Sequence, residues 1–174
     1  YSHLGRPEKA LPLLEKALAL HPGDGQLVWE KGYLMTRLHA APLDTAAFLA
    51  ASGIMREDVT LERCRALNLA GQHAQVLELM ASRQFVPCEG GEHAVAEQYM
   101  FAHHALGRRA IQAGDLQTAL THFMAAQHLP ENLGAGLWNE VLLVPHQYFE
   151  AICRQRLGDE DGVQRLFAHI LLLK

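Results

Sequence analysis

The strongest constraint on this chain is a spacing that occurs four times. Gly5 is followed five residues later by Ala10 and four residues after that by Leu14. Gly71, Val76 and Met80 repeat the interval, as do Gly114, Ala119 and Phe123, and then Gly158, Val163 and Phe167. Helix–turn–helix packing explains the pattern. The glycine ends one helix and permits a tight turn. The small or branched residue lets the paired helices approach, and the larger residue one turn later fills the gap between them. Pro7 can open a helix, and Pro22 and Pro130 mark the exits of second helices.

Apolar periodicity then predicts helices over 8–21, 25–38, 43–52, 57–70, 73–83, 94–113, 116–129, 145–157 and 160–173. Few aromatic residues, 7%, and abundant Ala, Leu and Gln agree with helices rather than sheets. The first of these helices is the second half of a unit whose first helix is absent. The chain also opens without a Met start at Tyr1-Ser2-His3-Leu4-Gly5, so 1–174 is expected to be one helical domain and a fragment of a longer protein.

The repeating unit resembles the tetratricopeptide repeat. The fullest copy spans about 100–133, with Leu106-Gly107 in its first helix and Gly114, Ala119, Phe123 and Ala126 following. Gly32 matches the first-helix glycine in an earlier, degenerate unit. Val76 and Val163 depart from the usual small residue, and His103 stands where a first-helix tryptophan is common. The resemblance implies an all-α, right-handed, superhelical solenoid of antiparallel helix pairs, with about four complete pairs and one cut unit.

Two insertions interrupt the period, near 84–97 and 131–144. Each lies between the second helix of one unit and the first helix of the next. Insertions at equivalent places in a solenoid emerge along one edge, so the two are expected to meet. Their residues carry a finer resemblance. Arg83-x-Phe85-x-Pro87-x-Glu89-Gly90-Gly91-Glu92 followed by Gln98-Tyr99, with Pro130-Glu131-Asn132-Leu133-Gly134 further on, is similar to a signature of certain large bacterial proteins. Those proteins join a tetratricopeptide region to an N-terminal, uncharacterised, carbohydrate-related all-β domain. Cys88 and His93 depart from that signature. The resemblance carries no catalytic residue.

Glu89-Gly90-Gly91-Glu92 reads as a loop pinned by Arg83 and a helix start, where an acidic charge is favoured. Arg83, Glu89 and Glu92 also form a set able to hold a polar ligand. His93 and His104 are eleven residues apart, about 16 Å along a helix, and cannot share one ion. His103 and His104 are adjacent and point apart; His103 takes an inner-helix position that lines a groove or packs between repeats. Trp138 either plugs the second insertion onto the core, beside Tyr148 and Phe149, or stacks on a sugar or peptide aromatic. Asn68 and Gln98 are further groove donors, and Arg65, Arg108, Arg109 and Arg154 are positive contacts for carboxylates. The ligand- or partner-binding set is thus Arg83, Glu89, Glu92, His103, Asn132 and Trp138, with no catalytic, cofactor or metal residue.

Several functions are excluded by what is missing. A formal net charge of -4 argues against backbone-driven nucleic-acid binding. No apolar run is long enough to span a membrane, and a cytoplasmic setting is expected. Cys64, Cys88 and Cys153 are too dispersed for a disulfide framework or a metal knuckle. There is no phosphate-cradling glycine loop, HExxH pair or GxSxG elbow. The expected function is noncovalent recognition of a peptide or protein, or scaffolding of the N-terminal region of the same polypeptide. The alternative is a helical accessory region that completes the site of a carbohydrate-binding or carbohydrate-processing enzyme. Homodimerisation through the terminal helix, which ends in Leu171-Leu172-Leu173, is a third expectation.

Overall fold

The computed structural model describes residues 6–86, 91–136 and 139–172, apart from the side chain of Glu92. The chain divides into two compact units, residues 1–72 and 73–174.

The first unit holds α1 (Pro7–Leu20), α2 (Gly25–Arg37), α3 (Pro42–Ala51) and α4 (Glu57–Leu69). Pro7 and Pro42 stand in first turns, where a missing N–H breaks no helical bond. Asp24 starts α2 by accepting from the N–H groups of Gln26 and Leu27 at 2.8 and 3.1 Å. α2 is central and packs against α1, α3 and α4. Leu34 buries against Ala10 and Leu14, while Val28 joins Leu49 and Val59. A single carboxylate fastens α2 to α4. Glu62 is 3% exposed and accepts from Thr36 Oγ1 and from the Arg65 guanidinium, each at 3.0 Å. A buried charge is tolerated only with such partners.

The second unit holds α5 (His73–Ala81), α6 (Glu92–Gln112), α7 (Leu116–Ala125), α8 (Val144–Leu157) and α9 (Glu160–Leu172). Successive helices pack on one another. Gly114 and Gly158 terminate α6 and α8 at φ of 81° and 83°, a left-handed shape that a side chain resists. Asp115 caps α7 through the Thr118 N–H at 3.0 Å. Ala119, Phe123 and Cys153 form a core from which solvent is excluded, and the Phe123 ring stacks on Phe149 with centroids 5.3 Å apart.

Each predicted helix is present, but α7 ends at Ala125 rather than 129 and α5 at Ala81 rather than 83. Two further differences are instructive. α6 begins at Glu92 rather than 94, because Gly91 already has helical dihedrals and the first insertion is correspondingly shorter. The second insertion is not plain loop. It contains two short 3-10 turns, η1 (Glu131–Leu133) and η2 (Glu140–Leu143), anchored by buried Leu133 and Leu143. The spacing residues also differ in their outcome. Phe123 is fully buried between helices, whereas Phe167 is 43% exposed, because α9 packs chiefly against α8. Among the described residues, no helix is long and apolar enough to cross a membrane.

Candidate functional site

The two insertions meet. Asn132 Nδ2 donates to the Met80 carbonyl at 2.9 Å and to the Arg83 carbonyl at 2.8 Å. The Phe85 N–H returns a bond to the Asn132 carbonyl at 2.7 Å. One asparagine therefore takes up carbonyls left open at the C-terminal end of α5 and joins the first insertion to the second. Asn132 was expected as a ligand contact, but both of its amide hydrogens point into this junction. Phe85 and Leu133 bury beside it. The Arg83 guanidinium lies over the Phe85 ring, 5.1 Å from its centroid. Glu89, Trp138 and the Glu92 side chain lie outside the described residues, as does Cys88.

The histidines of α6 do point apart, and each reaches a different helix. His103 Nδ1 lies 3.0 Å from His122 Nδ1 on α7, and His104 Nδ1 lies 3.2 Å from His146 Nδ1 on α8. In each pair one ring donates and the other accepts, so the two rings cannot both be protonated. Burial, reinforced by His122, holds His103 down at about 4. Burial, then His104 and His103, holds His146 at about 4 as well. His104 and His122 are lowered for the same first reason. Tyr99 packs edge-on against His103 at 4.6 Å. His103 is thus a packing residue between helices. Among the described residues, no cluster of three or more His, Cys, Asp or Glu is placed to hold a metal ion.

The concave feature borders the His104–His146 pair. In the first unit, the first helices α2 and α4 pack directly; in the second, α6 and α8 do not come that close. A hollow of about 240 Å³ opens there, lined by Glu97, Met100, Phe101 and His104 of α6, Leu142 of η2, and Pro145 and His146 of α8. The α6 residues fall at i, i+3, i+4 and i+7, one stripe of one helix. Leu143 and Leu142 of η2 pack on Ala96 and Met100, so the second insertion forms one wall. Phe101 is 53% exposed at the rim and touches His73 of α5 edge-on at 5.8 Å. The stripe was legible as helical periodicity, but Glu97, Phe101, Leu142, Pro145 and His146 were not singled out as a set. Only the position of η2 brings them together.

The expected arginines separate by occupation. Arg65 pairs with buried Glu62, and Arg154 is held by Glu150 at 2.7 Å and Asp159 at 2.6 Å. Arg108 and Arg109 are exposed near the C-terminal end of α6. Asn68 is buried, which removes it from any groove surface. A larger hollow of about 470 Å³ lies between α1, α2 and α3 in the first unit. Its Lys31 is engaged by Glu15 at 3.2 Å and lies over the Phe48 ring at 4.9 Å.

Comparison with known proteins agrees with this geometry. A tetratricopeptide-repeat family model matches residues 100–123, the stretch that carries Gly107, Gly114, Ala119 and Phe123. A crystal structure of PilW, described as a widely conserved type IV pilus biogenesis factor, superposes with a TM-score of 0.50. That match covers 98% of this chain and 71% of PilW at 17% sequence identity, a likeness of fold alone. The chain is therefore an all-α protein of tetratricopeptide-like fold, built from paired antiparallel helices.

Proposed function

We propose that this chain is a noncovalent recognition module whose α6–α8 groove holds a peptide or an extended protein segment, and that it scaffolds a partner by doing so. The observation that carries this reading is the apolar hollow walled by η2, with Phe101 half-exposed at its rim. Its 240 Å³ is smaller than the roughly 300–1,000 Å³ of common small-molecule sites. It suits one large apolar side chain of a longer ligand. Arg83 is proposed as a further contact, with Asn132 fastening the insertion junction and His103 joining α6 to α7; Glu89, Glu92 and Trp138 are proposed as contacts on their sequence alone.

Selection of a random 12-residue peptide display library on the purified chain tests the reading. Enriched peptides should lose binding to Phe101→Asp and weaken against the Glu92→Ala, Trp138→Ala double variant, both still folded by circular dichroism. Failure to enrich any peptide, or binders indifferent to Phe101→Asp, overturns the groove. The carbohydrate-enzyme alternative rests on family resemblance alone, and the described residues add no acid–base pair to it.

A further inference from the structure

We infer that the groove reads the placement of charges on its ligand: a basic residue against Glu97, a large apolar anchor in the hollow and an acidic residue against Arg108. The inference rests on the groove reading above and specifies its partner.

The α6 stripe does not end at His104. Arg108 follows at i+4, in the same file as Glu97, Phe101 and His104. Its guanidinium lies over the Phe149 ring at 5.9 Å, and the His104 ring meets the same Phe149 at 5.1 Å. Arg108 therefore continues the α6 stripe by one turn beyond the residues that line the hollow. The order along α6 is carboxylate, apolar pair, neutral imidazole, guanidinium.

Both end charges are available to a ligand. Glu97 and Arg108 are exposed, and among the described residues neither takes part in a salt bridge. The other cation at that end, Arg109, is near enough to help lower the His73 pKa and reinforces the same sign. Between the ends, His104 and His146 are neutral, so no charge in the middle competes.

Geometry sets the spacing. Glu97 and Arg108 are eleven residues apart, about 16 Å along the axis at about 1.5 Å per residue. An extended ligand covers about 3.3 Å per residue, so its basic and acidic groups stand about five positions apart. The hollow lies one to two helical turns beyond Glu97, which puts the apolar anchor two or three positions from the basic residue. Complementary charges at a rim chiefly set orientation and choice of partner.

The test uses the same library-selected peptides, measured by fluorescence anisotropy against the chain and against the Glu97→Lys, Arg108→Glu exchange. Enriched sequences should carry the basic–apolar–acidic placement at about that spacing. The exchange should weaken them about threefold to tenfold and strengthen peptides with the two charges transposed by a similar factor. Peptides that depend on Phe101 but show no such charge placement, or that ignore the exchange, overturn this inference and leave the groove standing. Absence of any Phe101-dependent binder overturns both.

Discussion

The Phe123 ring occupies the space in which a side chain on Gly107 would begin. A Cβ at Gly107 would lie 2.7 Å from Phe123 Cζ and 2.9 Å from both Cε atoms. α6 and α7 approach as closely as they do because that position has no side chain. Gly107→Ala should therefore destabilise by about 1–3 kcal/mol, despite a gain in helix propensity of up to about 1 kcal/mol. The same change in a Phe123→Leu background should cost clearly less, since the ring edge is gone. Urea unfolding of the four-member cycle measures the coupling, and strictly additive costs would refute the clash.

The two histidine pairs predict an acid-sensitive fold. The rings of His103 and His146 are held at about 4, against 6.5 in an unfolded chain. As pH falls from 6.5 toward 4, the unfolded chain takes up protons that the folded chain resists. Stability present above pH 6.5 is thus lost across that window. The groups facing these rings do not rescue the charge. His103 meets Tyr99 and His122, and His104 meets His146, Phe123, Phe149 and the Arg108 charge. Denaturant midpoints at pH 7.5, 6 and 5 should fall steeply in the parent chain. They should fall less in the His103→Phe, His146→Phe variant, and parallel pH profiles would contradict the account.

Asn132 should matter for order at the insertion edge more than its surface position suggests. Asn132→Ala removes two donors and leaves the Met80 and Arg83 carbonyls to find water, a loss of about 1–3 kcal/mol. Asn132→Asp keeps the shape but turns a carboxylate toward both carbonyls, and should be at least as harmful. Hydrogen exchange of the Phe85 amide, which bonds the Asn132 carbonyl, should accelerate in both variants. Unchanged protection at Phe85 would mean that the junction is held by Phe85 and Leu133 packing instead.

These relationships also show where sequence reading stops. The interval Gly114–Ala119–Phe123 announces a helix pair, because it records local constraints: a turn, a close approach and a filled gap. The existence of each helix follows from the same periodicity. Periodicity tells which face of its own helix a residue occupies, not which residue of another helix lies opposite. His104 meets His146 across 42 positions of sequence, and Asn132 reaches Met80 across 52. Whether His103 and Asn132 bind ligands or fasten helices depends on those distant partners. The groove was hidden for a related reason. Its wall is η2, a short turn in a stretch whose Gly and Pro content reads as loop, and only its packing on Ala96 and Met100 turns an α6 stripe into a concave site.

A buried carboxylate supplies the sharpest test of the second unit's packing. Glu150 of α8 accepts from Gln127 Nε2 at 2.6 Å and meets the Arg154 guanidinium at 2.7 Å. Arg154 in turn holds Asp159 at 2.6 Å, beside the Gly158 turn that leads into α9. Arg154→Met keeps the aliphatic stem but leaves Glu150, 5% exposed, with Gln127 alone. Breaking one side of such a pair strands a charge, and the loss should reach about 2–4 kcal/mol. Adding Glu150→Gln removes that charge, so the double variant should recover part of the loss, although Gln127 must then share its amide with a second amide. Thermal unfolding of parent, single and double variants decides it. A double variant less stable than Arg154→Met would show that Arg154 acts through Asp159 and the α8–α9 turn rather than through the buried carboxylate.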